Sequence, residues 1–145
     1  MLLIDRATVE ELLDFPQLVE ALAPAMAELS QGEVSMPPRS GPKIAEVNGV
    51  LGVMPAYLSR SQILACKLVS IYPENAAKNL PTHSALVVVY NPQTGIPVAL
   101  LDGGSITATR TAAGSALATK LLARPESRIL TILGTGVQAR SHALG

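Results

Sequence analysis

The sequence has 145 residues, about one ordinary domain with room for a real core, and 48% hydrophobic against 15% charged residues excludes disorder as its general state. Eleven Lys+Arg cancel eleven Asp+Glu, which leaves no basic excess to neutralise a nucleic acid, so none is expected as a partner. The single cysteine, Cys66, cannot close an internal disulfide, and the amino terminus has no basic region followed by an apolar stretch and a cleavage site; both predict a cytoplasmic protein.

Thr8 with Glu11 three residues later is a capping-box pattern, and Asp14 before Phe15-Pro16 can cap a second helical start. Leu18, Leu22, Met26 and Leu29 recur at helical spacing, so one helix is predicted to about Ser30, kinked at Pro24 and laid on a sheet. Pro37, Pro38 and Pro42 then force extended or turned chain. Residues 43–47 and 50–54 flank Asn48-Gly49, a strong hairpin signal. Residues 63–72 read as a strand with Lys67 at its middle, and residues 85–90 and 96–101 as a second hairpin around a longer loop. The uncharged run 79–101 is long enough to span a bilayer, but Pro81, Pro92, Gly95 and Pro97 interrupt it, so no membrane association is expected. A helix over 106–122, capped by Asp102 or Ser105, ends at Arg124-Pro125, and residues 128–133 have the branching of a buried strand.

That strand runs into Gly134-Thr135-Gly136-Val137-Gln138-Ala139, the GxGxxA variant of a dinucleotide-binding turn. A tight strand-to-helix turn without a ligand has the same form, but its place after a strand favours dinucleotide binding. The acid expected about 20 residues further on, which would hold a ribose hydroxyl, is not reached, so the sequence reads as the front part of a longer chain.

Charge is divided unevenly: residues 1–48 carry eight acids and three bases, residues 49–145 three acids and eight bases, which places any bound anion in the later part. Lys67 lies in an apolar strand, where a lysine either snorkels, forms a structural ion pair or serves an anion. Arg39 suits a bidentate grip on a carboxylate, although a loop arginine is commonly only solvated. Arg110, near the start of an Ala-rich helix, opposes the helix dipole unless an anion offsets it. Thr82 is unremarkable alone, His83 reads as a loop histidine, and no His, Cys or acid spacing suggests a metal site.

In linear order, Arg39 in PPRS, Lys67 in ACKLVSIYPEN, Thr82 in LPTHSALVVVYNPQTGIPVALLDG, Arg110 in ITATRTAAGSALATKLLAR and the turn ILGTGVQAR resemble the ornithine cyclodeaminase/mu-crystallin family. The resemblance implies an α+β amino-terminal domain, a mixed sheet with helices, for substrate binding and dimerisation over residues 1–123. The first βα unit of a truncated Rossmann domain for NAD or NADP would occupy residues 124–145. It further implies that Arg39 and Lys67 hold a substrate carboxylate, with Lys67 also placed for catalytic proton transfer. Thr82, Arg110, Gly134, Gly136, Val137 and Gln138 would contact the dinucleotide. The implied activity is NAD(P)-dependent amino- or imino-acid chemistry in a homodimer: ornithine cyclodeamination, ketimine or pyrroline-carboxylate reduction, or amino-acid dehydrogenation. Its catalytic aspartate is expected beyond residue 145. A non-catalytic ligand-binding role like that of mu-crystallin, or an inactive fragment, is the alternative.

Overall fold

Three aspartates decide where the long helical segments begin. In the computed structural model, which describes residues 1–144, Asp5 Oδ1 accepts the Thr8 amide at 2.9 Å, Asp14 Oδ1 that of Gln17 at 2.9 Å and Asp102 Oδ1 that of Ser105 at 3.0 Å. Each satisfies a helix amide that would otherwise lack a partner, worth about 0.5–2 kcal/mol. The helices they start are α1 (Arg6–Leu12), α2 (Phe15–Ser30) and α3 (Gly103–Leu122). The second helical start expected at Asp14 is the one α2 uses, and α2 ends at Ser30 as expected, with α1 a separate helix before it. Thr8 is not a cap: it lies inside α1, and its amide is the one that Asp5 engages. Pro24 sits within α2.

The strands are β1 (Leu2–Ile4), β2 (Val34–Ser35), β3 (Lys43–Ile44), β4 (Gly49–Leu58), β5 (Ile63–Ile71), β6 (His83–Tyr90) and β7 (Pro97–Asp102). They form one sheet in the order β1-β7-β6-β5-β4-β2, with β3 also paired to β4. β1 runs parallel to β7 and the other pairs are antiparallel, which makes the sheet mixed, as expected. The strand predicted over 43–47 ends at Ile44, because residues 45–47 form a short 3-10 turn and Asn48 alone takes the left-handed conformation, φ 48°. Gly49 is not the second half of a two-residue turn. It begins β4 beneath the Tyr72 ring, and a Cβ there would lie 2.6 Å from a ring carbon.

Side chains alternate across the sheet. Lys67, Val69, Ala85 and Val87 share the face on which α3 packs, and Val69, Ala85, Ala112 and Ala113 form its buried centre. α2 leans on α3 and is tied to the β4–β5 turn by Glu28, whose buried carboxylate accepts the Arg60 amide at 2.7 Å and the Ser61 hydroxyl at 2.9 Å. Burial pushes the Glu28 carboxyl upward, but these hydrogen bonds and the Arg60 charge outweigh it and hold the group below its usual value. The opposite face carries Leu51, Leu68 and Leu86, with Leu51 39% and Leu86 45% exposed.

Residues 128–133, predicted as a buried strand, have no ladder partner among the described residues, and Ile129 and Leu133 are 88% and 95% exposed. Branching favours extended chain, but a strand also needs a neighbour to bond, and none of β1 to β7 offers one here. The helix after it does form: α4 (Val137–Ala143) rests on α3, with His142 Nε2 2.9 Å from Ser115 Oγ and Nδ1 2.7 Å from the Gln138 carbonyl. A carbonyl only accepts, so Nδ1 carries the proton and the Ser115 hydroxyl donates to Nε2.

α3 approaches β6 so closely that a Cβ on Gly103 would lie 2.7 Å from the Ala85 carbonyl carbon. Gly103→Ala should cost about 1–3 kcal/mol through forced displacement. Gly114→Ala, on the same helix with nothing within 4 Å of the new methyl, should gain about 0.5–1 kcal/mol. Urea unfolding of the two variants measures both, and equal effects would refute tight seating of the first turn of α3.

Candidate functional site

Lys67 occupies the middle of β5, opposite Met54 of β4 and Val87 of β6, on the face that meets α3. Its position in the interior of a four-strand stretch leaves only the long aliphatic stem to carry the ammonium outward. Burial, then the positive charges of Arg110 and Arg39, push the Lys67 ammonium below its ordinary value. Two cations, one on α3 and one on the extended segment before β3, thus act on the ammonium that β5 carries. Among the described residues none of the three forms an ion pair with a carboxylate. Cations gathered without acids favour a bound anion, and an amine so disfavoured in its charged form releases its proton more readily than a surface lysine.

A cleft of about 550 Å³ lies beside the first turns of α3 and the start of α4. It brings together Thr82, Gly136, Val137 and Gln138, four of the residues predicted to contact a dinucleotide. Gly134 takes φ 112°, and a Cβ at Gly134 or Gly136 would meet nothing within 4 Å, so the backbone of the turn is open to approach. Gly134 and Arg110 do not line this cleft. Arg110 is one helical turn beyond Thr107, which does, and its charge acts on Lys67. The cleft and the cation cluster are therefore neighbours along α3.

Sequence reasoning missed Arg6, Gly104 and Thr107, which also line the cleft. Arg6 Nε stands 3.8 Å from Asp102 Oδ1 and 4.0 Å from Glu10 Oε1, and Glu10 accepts the Ser105 hydroxyl at 2.6 Å. Arg6 and Thr82 are distant in sequence and line one cleft only because β1 pairs with β7, so no local pattern announces their shared place. His83 begins β6 and faces the same cleft. Cys66 pairs with Pro55 and Val88, one residue out of phase with Lys67 and so on the opposite face. A separate apolar groove of about 620 Å³ runs between α3 and residues 130–133; of the predicted site residues it contains only Gln138.

Residues 1–145 match the ornithine cyclodeaminase/mu-crystallin family. The chain is 45% identical over 128 residues to the ketimine reductase mu-crystallin of Mus musculus, covering 86% of this chain and 41% of that protein. It resembles the solved Thermococcus litoralis Δ1-pyrroline-2-carboxylate reductase in complex with NADH and L-proline, at a TM-score of 0.93 and 43% identity, over 99% of this chain and 45% of that one. It also resembles an archaeal alanine dehydrogenase dimer with bound NAD, at a TM-score of 0.92 and 32% identity, over 99% of this chain and 44% of that one. The chain spans less than half the length of these relatives.

The lowered Lys67 ammonium has a consequence for stability with a definite sign. Its folded value lies below the ordinary 10.5 of the free side chain. The protonated amine therefore destabilises the native state at every pH below the folded value, and the penalty is relieved as pH rises from the folded value toward the unfolded one. Lys67→Met should be the more stable chain at pH 7, with its advantage shrinking toward pH 10. Urea unfolding at the two pH values checks this; a less stable variant at pH 7 would mean that Lys67 is held by a partner charge.

Proposed function

We infer the activity from one premise: the chain belongs to the ornithine cyclodeaminase/mu-crystallin family. The function best supported is NAD(P)-dependent reduction of a cyclic imino acid of the ketimine or pyrroline-2-carboxylate type. Because the chain spans less than half of its relatives, the proposal concerns the whole enzyme, in which residues 1–123 form the substrate-binding and dimerisation domain and residues 124–145 begin the cofactor domain. The observation that carries it is the cluster of Arg39, Lys67 and Arg110, cations without a carboxylate partner, beside a cleft lined by Thr82 and the glycine turn.

In this reading Thr82, Gly136, Val137 and Gln138 hold the dinucleotide, the open backbone at Gly134 and Gly136 admits its phosphates, and Arg110 adds charge from α3. The fit rests on that open turn and on the shared cleft. When bound, the nicotinamide cofactor supplies or accepts the hydride. Arg39 grips the substrate carboxylate, and its planar fork fixes the plane in which the reacting carbon lies. Lys67 Nζ binds the same carboxylate and, with its charged form disfavoured, delivers a proton to the substrate nitrogen. The relatives at 43% and 45% identity carry reductase names, which favours reduction over cyclodeamination.

Assay of the complete enzyme tests this reading. NADH or NADPH oxidation with Δ1-pyrroline-2-carboxylate should be catalysed, and Lys67→Met should lower kcat/KM by roughly 30-fold to several thousand-fold, since losing one charged contact costs about 2–5 kcal/mol. Lys78→Met, in the turn after β5, should leave the rate nearly unchanged. Ammonia release from ornithine instead would assign a cyclodeaminase. Cofactor binding without turnover of any imino acid would assign a binding protein.

We further propose that the face bearing Leu51, Leu68 and Leu86 joins a second copy of the chain. Partly exposed leucines clustered on one side of a sheet, opposite the helix-covered side, are the surface an obligate dimer buries. Leu86→Glu would place an unpaired charge there, at a cost of about 3–5 kcal/mol per site. Sedimentation should show dimers for the unaltered chain and monomers for the variant; monomers for both would refute the interface.

A further inference from the structure

The edge of the sheet beside β4 changes register between Ser35 and Ser40. Val34 and Ser35 pair with Leu58 and Tyr57, whereas Ser40 bridges Val53. Four residues, 36–39, thus stand against three, 54–56, so the edge segment carries one residue more than its partner. A single extra residue moves every side chain beyond it to the other face of a sheet. Ser35 lies across from Tyr57, which pairs with Leu64, and Ser40 across from Val53, which pairs with Leu68; both rows belong to the open face. Arg39, next to Ser40, therefore falls in the row of Met54, Lys67 and Val87 on the helix-covered face. Had 36–39 matched its partner residue for residue, Arg39 would point away from Lys67.

The shifted register is held tightly. Val53 donates its amide to the Ser40 carbonyl at 2.7 Å, and Leu51 donates to the Pro42 carbonyl at 3.1 Å. Between those bonds Gly41 takes φ 153°, and a Cβ on it would overlap the Leu51 carbonyl oxygen and lie 2.8 Å from its carbon. Those are backbone atoms of β4 and cannot yield as a flexible side chain can. Pro37 and Pro38 lack the N–H groups that would otherwise bind the slack into a ladder, so the extra residue stays outside the pairing.

We propose that the extra residue in 36–39 and the close seat of Gly41 together turn Arg39 onto the face of Lys67, which makes Gly41 a positioning residue for that arginine. The use of this orientation, a grip on a substrate carboxylate, rests on the function proposed above; the orientation itself does not. The repulsion that Arg39 exerts on the Lys67 ammonium fits such a placement and gives it a direct readout. The charged groups acting on Lys67 are Arg39, from the segment before β3, and Arg110, from α3; its neighbours on β4 and β6, Met54 and Val87, are uncharged.

The test titrates Lys67 by NMR in the 145-residue chain after ¹³C reductive methylation, with no substrate or cofactor present. Arg39→Gln should raise the Lys67 pKa. The exchange of Arg39→Ser with Ser40→Arg keeps composition and net charge but moves the guanidinium to the open face, and it should raise the value likewise. Gly41→Ala, which displaces the segment, should act in the same direction. Gly32→Ala, a left-handed glycine with open space around it, is subject to the same kind of backbone strain and should leave Lys67 unchanged. A wild-type titration in either Arg39→Gln or the exchanged chain overturns the proposal, as does an unchanged value in folded Gly41→Ala. If Gly41→Ala does not fold, the exchanged chain decides alone. Failure of the imino-acid assay with these titrations as expected would refute the proposed activity and leave the register inference standing.

Discussion

The seat of α3 on β6 is the contact from which both halves of the site are built. Gly103 gives up a side chain so that the helix backbone can meet Ala85, and Asp102, the last residue of β7, caps the helix that follows it without an intervening loop. Strand end, cap and first turn are thereby one rigid unit. Everything the helix carries inherits that placement: Gly104 and Thr107 at the cleft, Arg110 near Lys67, and Ser115 as the hydroxyl on which His142 anchors α4. A tilt of the helix would move the cation cluster and the glycine turn together.

The electrostatic arrangement runs against the stability of the empty fold. Lys67 is partly withdrawn from water and faces two guanidinium groups, while the acids that could neutralise them are engaged elsewhere: Asp102 at a cap, Glu28 at the β4–β5 turn, Glu33 with Arg60 at 2.6 Å. Five of the eight acids in residues 1–48, Asp5, Glu10, Asp14, Glu28 and Glu33, serve the architecture, and none of them pairs with Arg39, Lys67 or Arg110. Local conflict of this kind is characteristic of sites shaped for a ligand rather than for folding.

Much of this was legible in the sequence, and what was not has a common cause. Strands β5 to β7 and helix α3 could be read because their apolar runs are bounded by turn residues and a capping aspartate. Lys67 stood out because a lysine amid Ala, Cys, Leu and Val breaks a pattern. The start of α1 was misread because Thr8 and Glu11 imitate a cap that Asp5 provides. The strand expected over 128–133 failed because extended propensity does not supply a bonding partner. Arg6 at the cleft, and the extra residue that turns Arg39, depend on pairings between distant segments, and neither leaves a mark in local composition.

The parallel pairing of Leu2, Leu3 and Ile4 with Ala99, Leu100 and Leu101 also imposes an order in time. β1 bonds only to β7, the last strand of the sheet, which is synthesised roughly a hundred residues later. At about 5–20 residues per second of synthesis, these three residues wait about 5–20 s for their neighbour. Over that interval Leu2, Leu3 and Ile4 are an unpaired apolar strand in search of an edge. Arg6 reaches the cleft only through this late pairing, so one wall of the cleft is completed after the antiparallel strands have had time to assemble.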